Sequence, residues 1–341
     1  MRKIVWAAVG LVMLAEAAFG QSEKIAITWG YEPGTYVMTV KMDMDQVTTM
    51  STGQVTNQKI QMMMVMELEA GAKDAQGAQV LTTTFKRASQ SLTGGPISMA
   101  YDSANPQGGN PMFASLYRAM LDKPIQMKLN KDGKVTDLSG LDAIWDAMAA
   151  ENPSMALMAK NMKEQMGDTY LSQMMDLGRR MAPSSPVAVG DSWESDQPLN
   201  LPMIGPIQVK QTCTLKRVKD SPQGPVAVIA FNSTMETKEP KSVDTGAPGE
   251  TTIDKVQIVQ TGTIEMAVNG GMVLSGLSDQ KTTMRMTMGG APQPPEANTP
   301  AQPMTMEMQQ SGTVETTTRK GKYKPPATAP TTRPATTQPE P

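Results

Sequence analysis

The sequence predicts an α+β fold: a large curved antiparallel sheet of about ten to twelve strands, half-barrel-like, with a central helical insertion packed on its concave face. Three observations predict it. Apolar and polar residues alternate over long stretches near both ends of the chain, short turn signals join further alternating segments, and a helical period appears between residues 139 and 182.

Taken in order, the chain opens MRKIVWAAVGLVMLAEAAFGQSEK. Arg2 and Lys3 form a basic start, Ile4 to Leu14 an apolar core, and Ala18 and Gly20 are the small residues a signal peptidase reads, which predicts a signal peptide over 1–20. That apolar run is shorter than a membrane span and no later stretch approaches ~18 apolar residues, so no stable membrane insertion is expected after cleavage. The mature chain is expected to be exported, to the periplasm or outside the cell.

Residues 21–319 are then expected to form a single domain. In TYVMTVKMDMD the positions Tyr36, Met38, Val40, Met42 and Met44 are apolar and alternate with Thr35, Thr39, Lys41, Asp43 and Asp45, the period of a half-buried strand. In KIQMMMVMELEAG the residues Ile60, Met62, Met64, Met66 and Leu68 share one face, and the two strands read as a long antiparallel pair. Met284, Met286 and Met288, and then Met304, Met306 and Met308, repeat the pattern. Hairpin turns are marked by Asp132 and Gly133, by Asp220 to Gly224, and by Asn269 and Gly270.

The insertion begins near Ser139, a candidate N-cap. Leu141, Ile144, Trp145 and Met148 fall at helical spacing; Met155, Met158, Met162 and Met166 continue it, and Tyr170, Met174, Leu177 and Met181 form a third stripe. A shorter helix is expected over Pro111 to Asp122. Residues 289–303 read as a Pro-rich loop, and residues 320–341, rich in Pro and Thr, as a disordered tail.

Composition excludes several kinds of chemistry. The 31 basic and 33 acidic residues form no block, so neither nucleic acid nor an anionic membrane is an expected partner. The chain has no His, which removes Ser/His/Asp and Cys/His catalysis and His-ligated metals. VAVGDSWES, residues 187–195, imitates the Gly-Asp-Ser block of the GDSL esterases, but Ser192 lacks the histidine that would activate it; a tight turn at Gly190 and Asp191 is expected instead. The carboxylate pairs Asp43 and Asp45, Glu67 and Glu69, and Asp142 and Asp146 lie on polar faces and read as solvated surface. Cys213 has no partner cysteine and reads as a small packed residue. No metal, cofactor or catalytic residue is expected.

Methionine is the remaining candidate. The chain carries 32 Met against 4 Phe. Flexible thioethers fill irregular apolar space and repack around varied ligands, so Met38, Met42, Met62, Met64, Met66, Met284 and Met286 are the candidate ligand-binding residues. The expected function is non-enzymatic binding of a lipid, another apolar ligand or an envelope protein in a Met-lined concavity. The alternatives are a structural module with a fully packed core, and a His-free carboxylate enzyme acting on envelope polysaccharide.

The order of a Tyr-initiated strand pair, LNKDGKVTDLSG, a helical insert, and PSSPVAVGDSWES followed by paired strands resembles an uncharacterised family of secreted bacterial proteins, a domain of unknown function frequent in planctomycete-type genomes. The resemblance brings no catalytic residue. In architecture alone, a curled sheet embracing helices is similar to the periplasmic lipoprotein carriers and related half-barrels.

Overall fold

A computed structural model describes residues 23–96, 98–106, 109–151, 168–201, 204–222, 224–243, 251–289 and 303–325, with single positions 156, 160 and 163. The expected signal peptide, most of the Pro-rich loop, the tail from 326 and the second helical stripe of Met155, Met158, Met162 and Met166 lie outside them.

The fold is mostly β, one large antiparallel sheet. Its first half comprises β1 (Gly34–Met50), β2 (Val55–Ala70), β3 (Gln79–Thr93), β4 (Met99–Asp102), β5 (Pro124–Leu129) and β6 (Val135–Ser139). The second half comprises β7 (Ser192–Leu201), β8 (Gly205–Lys219), β9 (Val226–Thr237), β10 (Lys241–Val243), β11 (Thr251–Ala267), β12 (Val273–Met288) and β13 (Met304–Lys320). Three described helices accompany them: α1 (Pro111–Met120), α2 (Leu141–Glu151) and α3 (Asp168–Arg179). Thirteen strands exceed the expected ten to twelve.

Neighbours follow the order β6-β5-β3-β2-β1-β13-β12-β11-β9-β8-β7, with β4 beside β3 and β10 beside β11. Every pairing is antiparallel, as short hairpins require. The closing contact is β1 with β13, which joins the two ends of the chain in the middle of the sheet. Lys320, where the sequence places the start of the tail, still pairs with Tyr36, and the Tyr323 N–H donates to Glu67 Oε2 at 2.7 Å.

The sheet curves until its two end strands, β6 and β7, both touch α3. Strand glycines permit the bend. A Cβ at Gly312 would collide with the Asp43 carbonyl and stand 2.7 Å from Met44 Cα, and one at Gly262 would collide with the backbone at Leu277. Only residues without side chains let neighbouring backbones approach so closely at these points.

One end of the curved sheet is closed by the segment that precedes β1. Ile25 bridges to Val187, Trp29 meets Tyr31 edge-on at 6.4 Å, and the buried Gln79 donates from Nε2 to the carbonyls of Tyr31 and Gly71 at 2.9 and 2.8 Å. Gly271, at φ 59°, lets the β11–β12 turn pass against Thr28. The largest core cluster therefore sits at this closed end, where Ile27 packs with Cys213, Leu215, Ile229, Phe231, Ile264 and Met266. A second, around Tyr31, Tyr36, Leu68, Leu81 and Leu129, lies beside it.

Candidate functional site: a methionine wall

Register assigns each methionine to a face. On β1 and β2 the cross-strand partners are Met38 with Met66, Val40 with Met64, Met42 with Met62, and Met44 with Ile60. On β12 and β13 they are Met284 with Met308, Met286 with Met306, and Met288 with Met304, while Met50 of β1 faces Met306. Following the register across β13 puts all of these on the face that also carries Tyr36, Leu68 and Ile264, the core-facing or inner face.

The same register divides the candidates into two groups. Met42 lies level with Val314 of β13, whereas Met284 lies level with Met308, six residues further along that strand. At roughly 3.3 Å per residue the two groups are about 20 Å apart along the strands. Met38, Met42, Met62, Met64 and Met66 thus form a middle patch, and Met284 and Met286 belong to a rim patch near the open end.

Between the patches runs a polar band, which the alternation of the sequence does not advertise. Gln46 donates to Gln58 Oε1 at 3.1 Å, Gln260 donates to Ser278 Oγ at 2.8 Å, and Gln280 donates to Thr282 Oγ1 at 3.3 Å. These amides and hydroxyls bond one another, so the inner face tolerates them next to thioethers.

Burial separates the methionines by kind. Met44 is 0% exposed, held against Gly312, and behaves as a packed core residue. The seven candidates are each half-buried. They are neither sealed in the core nor presented to bulk water.

The outer face is the chemical opposite. Lys41, Asp45, Lys59, Gln61, Asp279, Lys281, Arg285 and Glu307 are exposed on it. Asp43 bonds Gln61 at 2.8 Å and Lys59 at 2.9 Å, and those two partners hold its carboxyl below the usual range. Among the described residues no helix is long and apolar enough to cross a membrane. A groove of about 650 Å³ is lined by Lys41, Asp43, Gln61 and Glu315 of this face together with Met63, and also by residues Met42 and Met62.

The other singled-out residues fall into place. Gly190 turns at φ 95°, Asp191 Oδ2 accepts from the Ala188 N–H at 2.9 Å, and the Ser192 and Thr214 hydroxyls pair at 2.8 Å, which is the expected tight turn. Glu67 accepts from Tyr323, and Asp142 pairs with Lys163 at 2.9 Å. Cys213 is 1% exposed, and burial pushes its thiol up to about 11.

Comparison with curated proteins gives no match. Among solved structures, one titled for lipid–protein interactions in lipovitellin is 11% identical with a TM-score of 0.40, covering 87% of this chain and 26% of that one. This chain thus spans about a quarter of that protein's length. The Pseudomonas aeruginosa protein OpdQ is 5% identical with a TM-score of 0.17, covering 84% of this chain and 99% of its own. Values this low carry no argument about fold or function. The family model is decisive where the single structures are not: it matches residues 76–282, from the start of the β3 hairpin into β12, and the chain belongs to DUF6263, a family of unknown function.

Proposed function

We propose that the protein is an exported, non-enzymatic binder of a lipid or similar apolar ligand, whose acyl chain lies against Met38, Met42, Met62, Met64 and Met66, with Met284 and Met286 contacting it nearer the rim. One observation carries the reading. The central strands β1 and β2 place a cluster of flexible thioethers on the inner face, interrupted only by Val40, and these stay half-buried while Met44 beside them is sealed. Thioethers adapt to varied apolar shapes at low cost, as a binding wall requires.

Helices complete the reading as the cover of the concave side, the α part of an α+β domain. Ile125 of β5, on the inner face, packs against the cluster of Ala119, Ile144, Trp145 and Met148 from α1 and α2, which supports this placement. Export rests on the tripartite start over 1–20 and places the protein in the periplasm or outside the cell. The outward carboxylates Asp43 and Glu67 take no part, so Asp43→Asn and Glu67→Gln leave ligand uptake unchanged.

Native mass spectrometry of the protein purified from its envelope fraction tests the proposal. A co-purified lipid is expected, released by organic extraction. Protein that arrives ligand-free and takes up no hydrophobic dye would make the methionine wall a packing surface, and the protein a structural module.

A further inference from the structure

The path through the sheet contains eleven strands once β4 and β10 are set aside. Because all neighbours alternate in direction, an odd number leaves the end strands β6 and β7 parallel to each other. They cannot pair as the rest of the sheet does, but one more strand running the opposite way would be antiparallel to both. The helix α3 touches both end strands instead, meeting β7 at its Asn200 end. Gln173 in the middle of α3 bonds Asn200 at the far end of β7, and Arg179 at its C-terminal end approaches Gly133 before β6 and lines a cavity with Trp193 and Glu194, so α3 runs opposite to both strands.

A helix uses its own N–H and C=O groups internally and cannot serve a strand edge. The Asn200 N–H points away from β8, to Gln173 Oε1 at 3.3 Å. Residues two apart share that direction, so the backbones of Ser192, Glu194 and Asp196 also face outward from the sheet's edge. Pro198 stands in the same set, at a place where a missing N–H costs the sheet nothing. Among the described residues Gln173 is this edge's sole partner. Two cavities lie end to end along it, one of about 450 Å³ between Gln197–Leu199, α3 and Val135, the other of about 490 Å³ between Trp193–Ser195, Arg179 and Lys131.

A second observation points the same way. Trp193 Nε1, Ser195 Oγ and Gln211 Oε1 are buried atoms without a hydrogen-bond partner among the described residues, and Gln211 is only 6% exposed. Ser195 of the edge strand and Gln211 of β8 are cross-strand partners on the inner face. Unused polar capacity of this kind marks an incomplete site.

We propose that the free edge of β7 docks one extended segment of a partner polypeptide, added antiparallel as a further strand. Its backbone pairs with Ser192, Glu194 and Asp196. Its outward side chains are basic, opposite the exposed carboxylates of Glu194 and Asp196, and its inward ones reach Trp193 and Ser195. This site is separate from the methionine wall and stands whether or not that wall binds lipid.

The test uses the full chain and a synthetic nonapeptide of alternating Lys and Val, followed by amide hydrogen exchange. At about 1 mM peptide, enough to populate a complex of millimolar Kd, the Glu194 and Asp196 amides are expected to slow. Glu194→Pro removes an N–H that the sheet does not use, and should weaken peptide binding at least about tenfold without lowering the melting temperature. Should that variant fail to fold, Glu194→Lys/Asp196→Lys keeps the backbone and should weaken binding by charge repulsion. Unchanged exchange at these amides, or binding that survives the substitutions, would overturn the proposal. Protection that grows with protein concentration without peptide would also overturn it, in favour of a second copy of this chain.

Discussion

Met42 of β1 and Met62 of β2 face each other directly across the inner side of the sheet, and both stay half-buried although their strands lie near its middle. Central strands ordinarily bury the residues on a core face. The contrast with Met44, two positions further along and 0% exposed, shows that the same strand changes from packed core to accessible wall within one pleat.

That contrast has an energetic consequence. Met44→Ala should cost roughly 2 to 5 kcal/mol, as for a tightly packed core residue, whereas Met64→Ala should cost about 1 kcal/mol or less, because fewer neighbours lose contacts. Urea unfolding of the two variants decides it. Equal costs would mean that the wall is packed throughout.

The strand glycines let neighbouring backbones approach closely. Gly312→Val should destabilise by about 1 to 3 kcal/mol, since its side chain would press on the Asp43 carbonyl and the Met44 backbone. Gly53, with nothing near its side-chain position, gives the comparison: at φ 84°, Gly53→Asn should be tolerated.

Acid should loosen the helix at the seam. Burial pushes the Asp176 carboxyl up, but the hydrogen bonds and charges of Arg179 and Arg180 outweigh it and hold it below the usual range. A depressed carboxylate pKa stabilises the fold above the unfolded value near 3.9, and that contribution is lost as pH falls through the lower folded value. Thermal melts should therefore fall below about pH 4, and Asp176→Asn should flatten that part of the profile. An unchanged profile in the variant would place the acid sensitivity elsewhere.

Cys213 should be silent in the native protein. With its thiol pushed up to about 11 by burial, almost no thiolate exists at neutral pH. Ellman's reagent should react only after guanidinium unfolding; rapid native labelling would mean that the closed end of the sheet opens.

Legibility followed side-chain alternation. β1, β2 and the stretches Met284–Met288 of β12 and Met304–Met308 of β13 were readable because methionine or aliphatic residues recur there at alternate inner positions, although Gln46, Gln58 and Gln280 interrupt the pattern further along. β3 was not, since its inner face holds Thr83 and Gln90 and a register shift opposite Val65 and Met66 breaks the period. β7 showed only its Trp193, because Ser195 and Gln197 face inward in place of apolar residues. The spacing of Met38 to Met66 gave one patch correctly as a face. Its distance from Met284 and Met286 depends on the pairing of β1 with β13, a contact between the two ends of the chain that no local pattern encodes.

The central claim, an apolar ligand on the inner face, is tested most directly by adjacent residues that point to opposite sides. Titration of a fluorescent fatty acid against the wild-type chain, Met64→Gln and Met63→Gln uses one technique on one strand. The account predicts saturable binding that weakens at least about tenfold in Met64→Gln and is unchanged in Met63→Gln, whose side chain lies in the outer groove. No binding by the wild type, or equal loss in both variants, would contradict it.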